Sequence, residues 1–177
     1  MKTELETQSA ANAPVLKVVL AYDEVSSGKL GKELCDRLVR HLGPGSELQL
    51  VPWSLSVLRV PEILQAAVTV ASGASLIIVA AGLAELSVAA VCRIRRLIKH
   101  RRNSDGALVV LIHGAPQASL ALVHVCALLR QAAREAGMAF FWQMTEHSER
   151  RSSYPLVAIH ERATRHSALL DSIVQRT

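Results

Sequence analysis

The sequence predicts an α/β protein: a three-layer α/β/α sandwich on a five-stranded parallel sheet with strand order 2-1-3-4-5. Three observations carry this. Short runs of nearly unbroken Val, Leu, Ile and Ala recur along the chain, as in strands covered on both faces. Between them lie longer stretches with apolar residues at spacings of three and four, the period of a helix with one buried face. Gly, Pro, Asn and Asp punctuate the changes of period. Strict strand–helix alternation calls for right-handed crossovers and a parallel sheet.

The elements follow in order. Residues 1–14 are polar and acidic and read as a disordered leader, with 15–177 as a single domain; no apolar signal segment precedes the first strand. Val15–Tyr22 is a buried strand, and 23–28 a polar loop. Leu30, Leu34, Leu38 and Leu42 mark a helix stopped by Gly43-Pro44-Gly45. Glu47–Trp53 alternates more and suits a sheet edge, and Pro61 fits the first turn of a helix reaching about Gly73. Ser75–Ala81 is the third strand, Leu86–Arg102 a helix and Ala107–Ile112 the fourth strand. Gln117–Ala136 is a long helix closed by Gly137, and Met138–Met144 the fifth strand. From Pro155, helical spacing predicts a last helix, with a short strand at 156–160 as the alternative.

Composition narrows the function. The chain has 177 residues, 50% hydrophobic and 20% charged, which excludes a disordered or collagen-like chain. Only 3% of residues are aromatic, so few rings are at hand to stack on a flavin or on nucleic-acid bases. The net charge of +5 comes from one segment: Arg93, Arg95, Arg96, Lys99, Arg101 and Arg102, with no acid among them. On a helix these cations form a stripe opposite Ala90, Ile94 and Leu97, suited to weak polyanion binding. Its simpler reading is the solvated face of an amphipathic helix. Cys35, Cys92 and Cys126 lack CxxC spacing and sit in apolar helical runs, so buried, reduced thiols and a cytoplasmic location are expected. No apolar run approaches a membrane span.

In an open sheet of this order, ligands bind beyond the carboxyl ends of the central strands. The candidate loops are Asp23–Lys29, Gly82–Ser87 and His113–Ser119. Ala74–Ala81 with the apolar helix to Ile98, and Asp105–Gly114 with the long helix ending Arg134-Glu135-Ala136-Gly137, resemble the flavodoxin-like superfamily. Within it, the layout of residues 15–144 is most similar to NADPH-dependent FMN reductases. The resemblance implies an FMN site drawing on Asp23, Ser26, Ser27, Gly28 and Lys29 in the first loop, Gly82 in the second, and His113 and Gly114 in the third.

Several residues depart from that pattern. Asp23 and Glu24 repel a phosphate, and Ser26 or Ser27 also reads as a helix cap with Gly28 and Lys29 beginning the helix. Gly82–Ser87 has no ring, Asn or Pro to meet an isoalloxazine, and His113–Ser119 has one glycine. A P-loop is excluded because Leu30 follows Ser27-Gly28-Lys29 where a Mg²⁺-binding hydroxyl is needed. A phospho-receiver is disfavoured because Ala80 and Ala81 end the third strand where the acceptor Asp belongs. His113 and His147 share the ligand edge without metal-ligand spacing, while His124 falls on an apolar helical stripe and reads as a core residue. The expectation is a non-catalytic flavodoxin-like binding or regulatory protein, a homodimer, with no cofactor and a small-molecule ligand at the strand carboxyl ends. The alternative is a divergent FMN reductase carrying FMN.

Overall fold

The computed structural model describes residues 15–42, 47–99, 106–113 and 119–145. The chain divides into two units, 1–147 and 148–177, and every described residue belongs to the first. The predicted leader and the predicted helix or strand after Pro155 lie outside the described residues.

Among the described residues, five strands and four helices alternate: β1 (Val15–Tyr22), α1 (Val25–Leu42), β2 (Glu47–Ser54), α2 (Pro61–Ala71), β3 (Leu76–Gly82), α3 (Val88–Lys99), β4 (Gly106–His113), α4 (Leu120–Glu135) and β5 (Met138–Thr145). Single 3₁₀ turns at Val57–Arg59 and Leu83–Glu85 precede α2 and α3. The sheet order is β2-β1-β3-β4-β5 and every pairing is parallel, as the sequence predicts.

The period of two explains why the central strands are apolar throughout. Val19, Ala21, Ile77, Val79, Ala81, Val110 and Ile112 face a core shared with α2, α3 and α4. Their neighbours Val18, Leu20, Ile78, Ala80, Val109 and Leu111 face a second core that takes Leu34 and Cys35 from α1. Both faces are therefore covered, which makes the three layers. β2 lies at the edge, where Pro52 removes one amide from the ladder at least cost. Gly137 takes φ 68°, the left-handed conformation that lets α4 stop and β5 start at once.

Several local expectations need correction. α1 begins at Val25, so the segment expected to be a loop through Gly28 is mostly helix, and Ser26, Ser27, Gly28 and Lys29 are helical. The helix starts early because Glu24 N–H is already bonded by the Asp23 carboxylate and Gly28 N–H reaches Glu24 O at 2.9 Å. α3 starts at Val88, with the Ser87 hydroxyl accepting from Ala90 N–H at 3.4 Å. α4 starts at Leu120, capped by Ser119, whose hydroxyl accepts from Leu122 N–H at 3.2 Å. His124 is exposed rather than part of the core, because the buried stripe of α4 runs through Leu122, Val125, Cys126 and Leu129.

Cys92 is likewise exposed, while Cys35 and Cys126 are buried. Burial, aided by the nearby Asp36, pushes the Cys35 thiol up to about 11, and burial also raises Cys126. A thiol whose acidity is weakened by folding holds its proton more tightly in the native state, so this contribution to stability is lost as pH rises above 9. In native protein at pH 8, an aromatic disulfide reagent is expected to titrate Cys92 rapidly, with Cys35 and Cys126 reacting only after denaturant is added. Rapid reaction of two or three thiols without denaturant would contradict this packing.

Among the described residues, no helix is long and apolar enough to cross a membrane.

Candidate functional site

The carboxyl edge of the sheet carries a pocket of about 380 Å³ lined by Asp23, Glu24, Gly82, Glu85 and His113. Parallel register builds it. Gly82 ends β3 opposite His113 at the end of β4, and Asp23 follows Tyr22, whose partner on β3 is Ala80.

Asp23 is the centre of the arrangement. Its N–H donates to Ala80 O at 3.3 Å. Its side chain is 7% exposed and accepts two backbone hydrogen bonds: Oδ1 from Glu24 N–H and Oδ2 from Gly82 N–H, both at 2.7 Å. Charge-assisted bonds of this length are the strong kind. The carboxylate thus ties the β1–α1 turn to the end of β3. In doing so it fills, with a negative charge of the chain itself, the place at a strand–helix turn where backbone amides can receive an anion.

His113 is the second fixed group. Its Nε2 lies 2.5 Å from the Ser27 hydroxyl, 3.8 Å from Asp23 Oδ1 and 3.9 Å from Glu24 Oε1. Ser27 is fully buried on the inner face of α1, with no exposed surface. A serine nucleophile needs an exposed hydroxyl, and its histidine needs the serine and the carboxylate on different ring nitrogens. Here hydroxyl and carboxylates face the same nitrogen, so Ser27, His113 and Asp23 do not form a relay.

The remaining lining is acidic and open. Glu24 has a side chain 59% exposed and accepts from the Ser26 hydroxyl at 2.5 Å. Glu85 is exposed on the turn before α3. Of the residues singled out from sequence, Asp23, Gly82 and His113 line the pocket, Ser27 lies behind His113 and Ser26 contacts Glu24. Gly28 and Lys29 are not part of the lining: Gly28 sits against the Tyr22 ring and Lys29 is exposed. Gly114 lies outside the described residues. Glu85 is the lining residue that sequence reading missed. The loop Gly82–Ser87 carries this acid in plain view, but a single carboxylate in a strand–helix loop is no signal of a ligand site. Among the described residues, no group of three or more His, Cys, Asp or Glu side chains is placed to hold a metal ion.

The basic stripe is also in view. Ala90, Ile94 and Leu97 are buried as expected, and Arg96 and Lys99 are exposed. Arg93 and Arg95 are half-buried, and Arg95 is 3.8 Å from Glu135 of α4. Arg101 and Arg102 lie outside the described residues.

Sheet order and two helical layers place the chain in the flavodoxin-like fold class. No family model matches the sequence, and no curated protein matches it. Among solved structures, it is similar to the Streptococcus pneumonia TIGR4 flavodoxin, at 15% identity and TM-score 0.47 over 76% of this chain and 88% of that one. It is similar to the Trp repressor binding protein from Bacillus subtilis, at 12% identity and TM-score 0.42 over 74% and 84% of the two chains. A third likeness is to the A domain of carboxylic acid reductase from Segniliparus rugosus, at 13% identity and TM-score 0.38; it covers 78% of this chain and 19% of that one.

Proposed function

We propose that this protein is a non-catalytic, flavodoxin-like binding or regulatory module whose ligand edge is not built for FMN. The observation that carries this reading is the Asp23 carboxylate seated on the Glu24 and Gly82 amides. A flavin phosphate brought to that turn meets a buried negative charge instead of free donors, with Glu24 and Glu85 adding two more carboxylates at the mouth. The turn Leu83–Glu85 offers no ring to stack on an isoalloxazine. A ligand that suits this pocket is neutral or cationic and donates hydrogen bonds. The basic stripe on α3 adds a weak, salt-sensitive attraction for polyanions, with Arg95 partly engaged by Glu135.

The alternative, a divergent FMN reductase, draws on the fold class alone. The absorption spectrum of protein purified without added flavin separates the two. A colourless protein is expected, and a yellow one that releases FMN on denaturation would overturn the reading.

A further inference from the structure

Among the described residues, the three most exposed large apolar side chains are Leu120 at 90%, Val88 at 75% and Val25 at 71%. Each is the first residue of its helix: α4, α3 and α1. The fourth helix repeats the pattern, with Val60, 42% exposed, at the N-cap of α2 and no side chain bonding the free amides. All four lie on strand-to-helix connections and so at the carboxyl edge that holds the acidic pocket.

Local chemistry does not ask for this. Ser87 and Ser119 serve the free amides at the starts of α3 and α4, but the helix dipole also favours acids in the first turn. Yet α1, α3 and α4 carry no acid in the first turn. Exposed apolar groups gathered on one edge mark an interaction surface, and residues that break local preference without a packing reason are expected at functional sites. The charge at the centre of that edge says what covers it. Glu24 and Glu85 are exposed carboxylates, and Asp23 adds its charge from behind. An anionic lipid surface is repelled by this centre; a protein surface with cations among apolar side chains is attracted.

We infer that the carboxyl edge docks a protein partner through a basic, apolar segment: a Lys or Arg enters the pocket toward Glu24 and Glu85 while apolar neighbours cover Val25, Val60, Val88 and Leu120. This rests on the reading of the edge as a binding site without flavin and gives that site a partner class. The pocket sets the charge preference, and the apolar rim supplies the buried core an interface needs.

The test uses the full chain and three fluorescein-labelled decapeptides: one alternating Leu and Arg, one alternating Leu and Glu, and one alternating Ser and Arg. Fluorescence anisotropy is expected to show the Leu–Arg peptide binding at least about tenfold more tightly than either other peptide. Glu85→Lys and Val88→Ser, both at exposed positions, are each expected to weaken it by about tenfold or more while leaving the circular dichroism spectrum unchanged. Amide shifts on binding should gather at residues 23–25, 60, 83–88 and 119–123. Equal binding of the three peptides, insensitivity to both variants, or shifts elsewhere would overturn the proposal. So would self-association of the free chain that Val88→Ser abolishes, since a second copy would then be the occupant. FMN displacing the peptide would overturn the underlying reading, whereas failed peptide binding with no FMN binding overturns the docking alone.

Discussion

Replacing Asp23 by Ala is expected to lower stability by about 3 kcal/mol, since two charge-assisted bonds are lost and Gly82 N–H is left unpaired in a half-buried turn. Asp23→Asn keeps one acceptor oxygen and should cost roughly half as much. Glu24→Gln, at an exposed carboxylate that accepts from the Ser26 hydroxyl and lies 3.9 Å from the His113 ring, should stay within about 0.5 kcal/mol of the parent. Urea denaturation is the measurement, read as a shift in midpoint at constant slope. A cost for Asp23→Ala no greater than that for Glu24→Gln would mean that the carboxylate does not tie β1 to β3.

Gly31→Ala carries the second large effect, and here the sign is the prediction. In a helix interior Ala is favoured over Gly by about 1 kcal/mol. Gly31, however, is buried on the inner face of α1, and a Cβ there would collide with Leu20 Cδ1 and lie 3.0 Å from Leu20 Cδ2. Leu20 is 2% exposed within the sheet, so it has little room to yield. Overpacking of this kind costs about 1–3 kcal/mol, and a net loss of about 2 kcal/mol is expected. Gly73 is the control: nothing lies within 4 Å of its would-be Cβ, so Gly73→Ala should be neutral or stabilising. Thermal or urea unfolding of the two variants side by side decides; a stabilised Gly31→Ala would show that α1 does not press on β1 as closely as described.

The sheet was legible because burial on both faces leaves a mark in sequence. Leu76–Ala81 and Ala107–Ile112 are apolar at every position, as a central parallel strand covered on both faces requires. Helix starts were harder to read for a physical reason. Val25, Val88 and Leu120 open their helices in first turns that lack the usual acid, and their apolar character merges them with the stripes that follow. The same merging hid the exposure of Cys92 and His124. Each has buried neighbours, Val91 and Val125, but helical rotation carries it to the outer face.

The site was legible in its location and less so in its wiring. The strand carboxyl ends were evident from sheet order, and Asp23, Gly82 and His113 do meet there. That Asp23 turns back onto Gly82 N–H depends on the register of β1 and β3, which brings together residues 59 apart. In sequence Ser27 suits a phosphate ligand or a helix cap; only the placement of α1 shows its hydroxyl buried against His113.

The account turns on whether that buried carboxylate leaves a seat for a flavin phosphate. Titrating FMN with the purified protein and following flavin fluorescence tests this directly. The expected result is no quenching at micromolar protein. Saturable quenching in that range, reversed when the protein is unfolded, would contradict it.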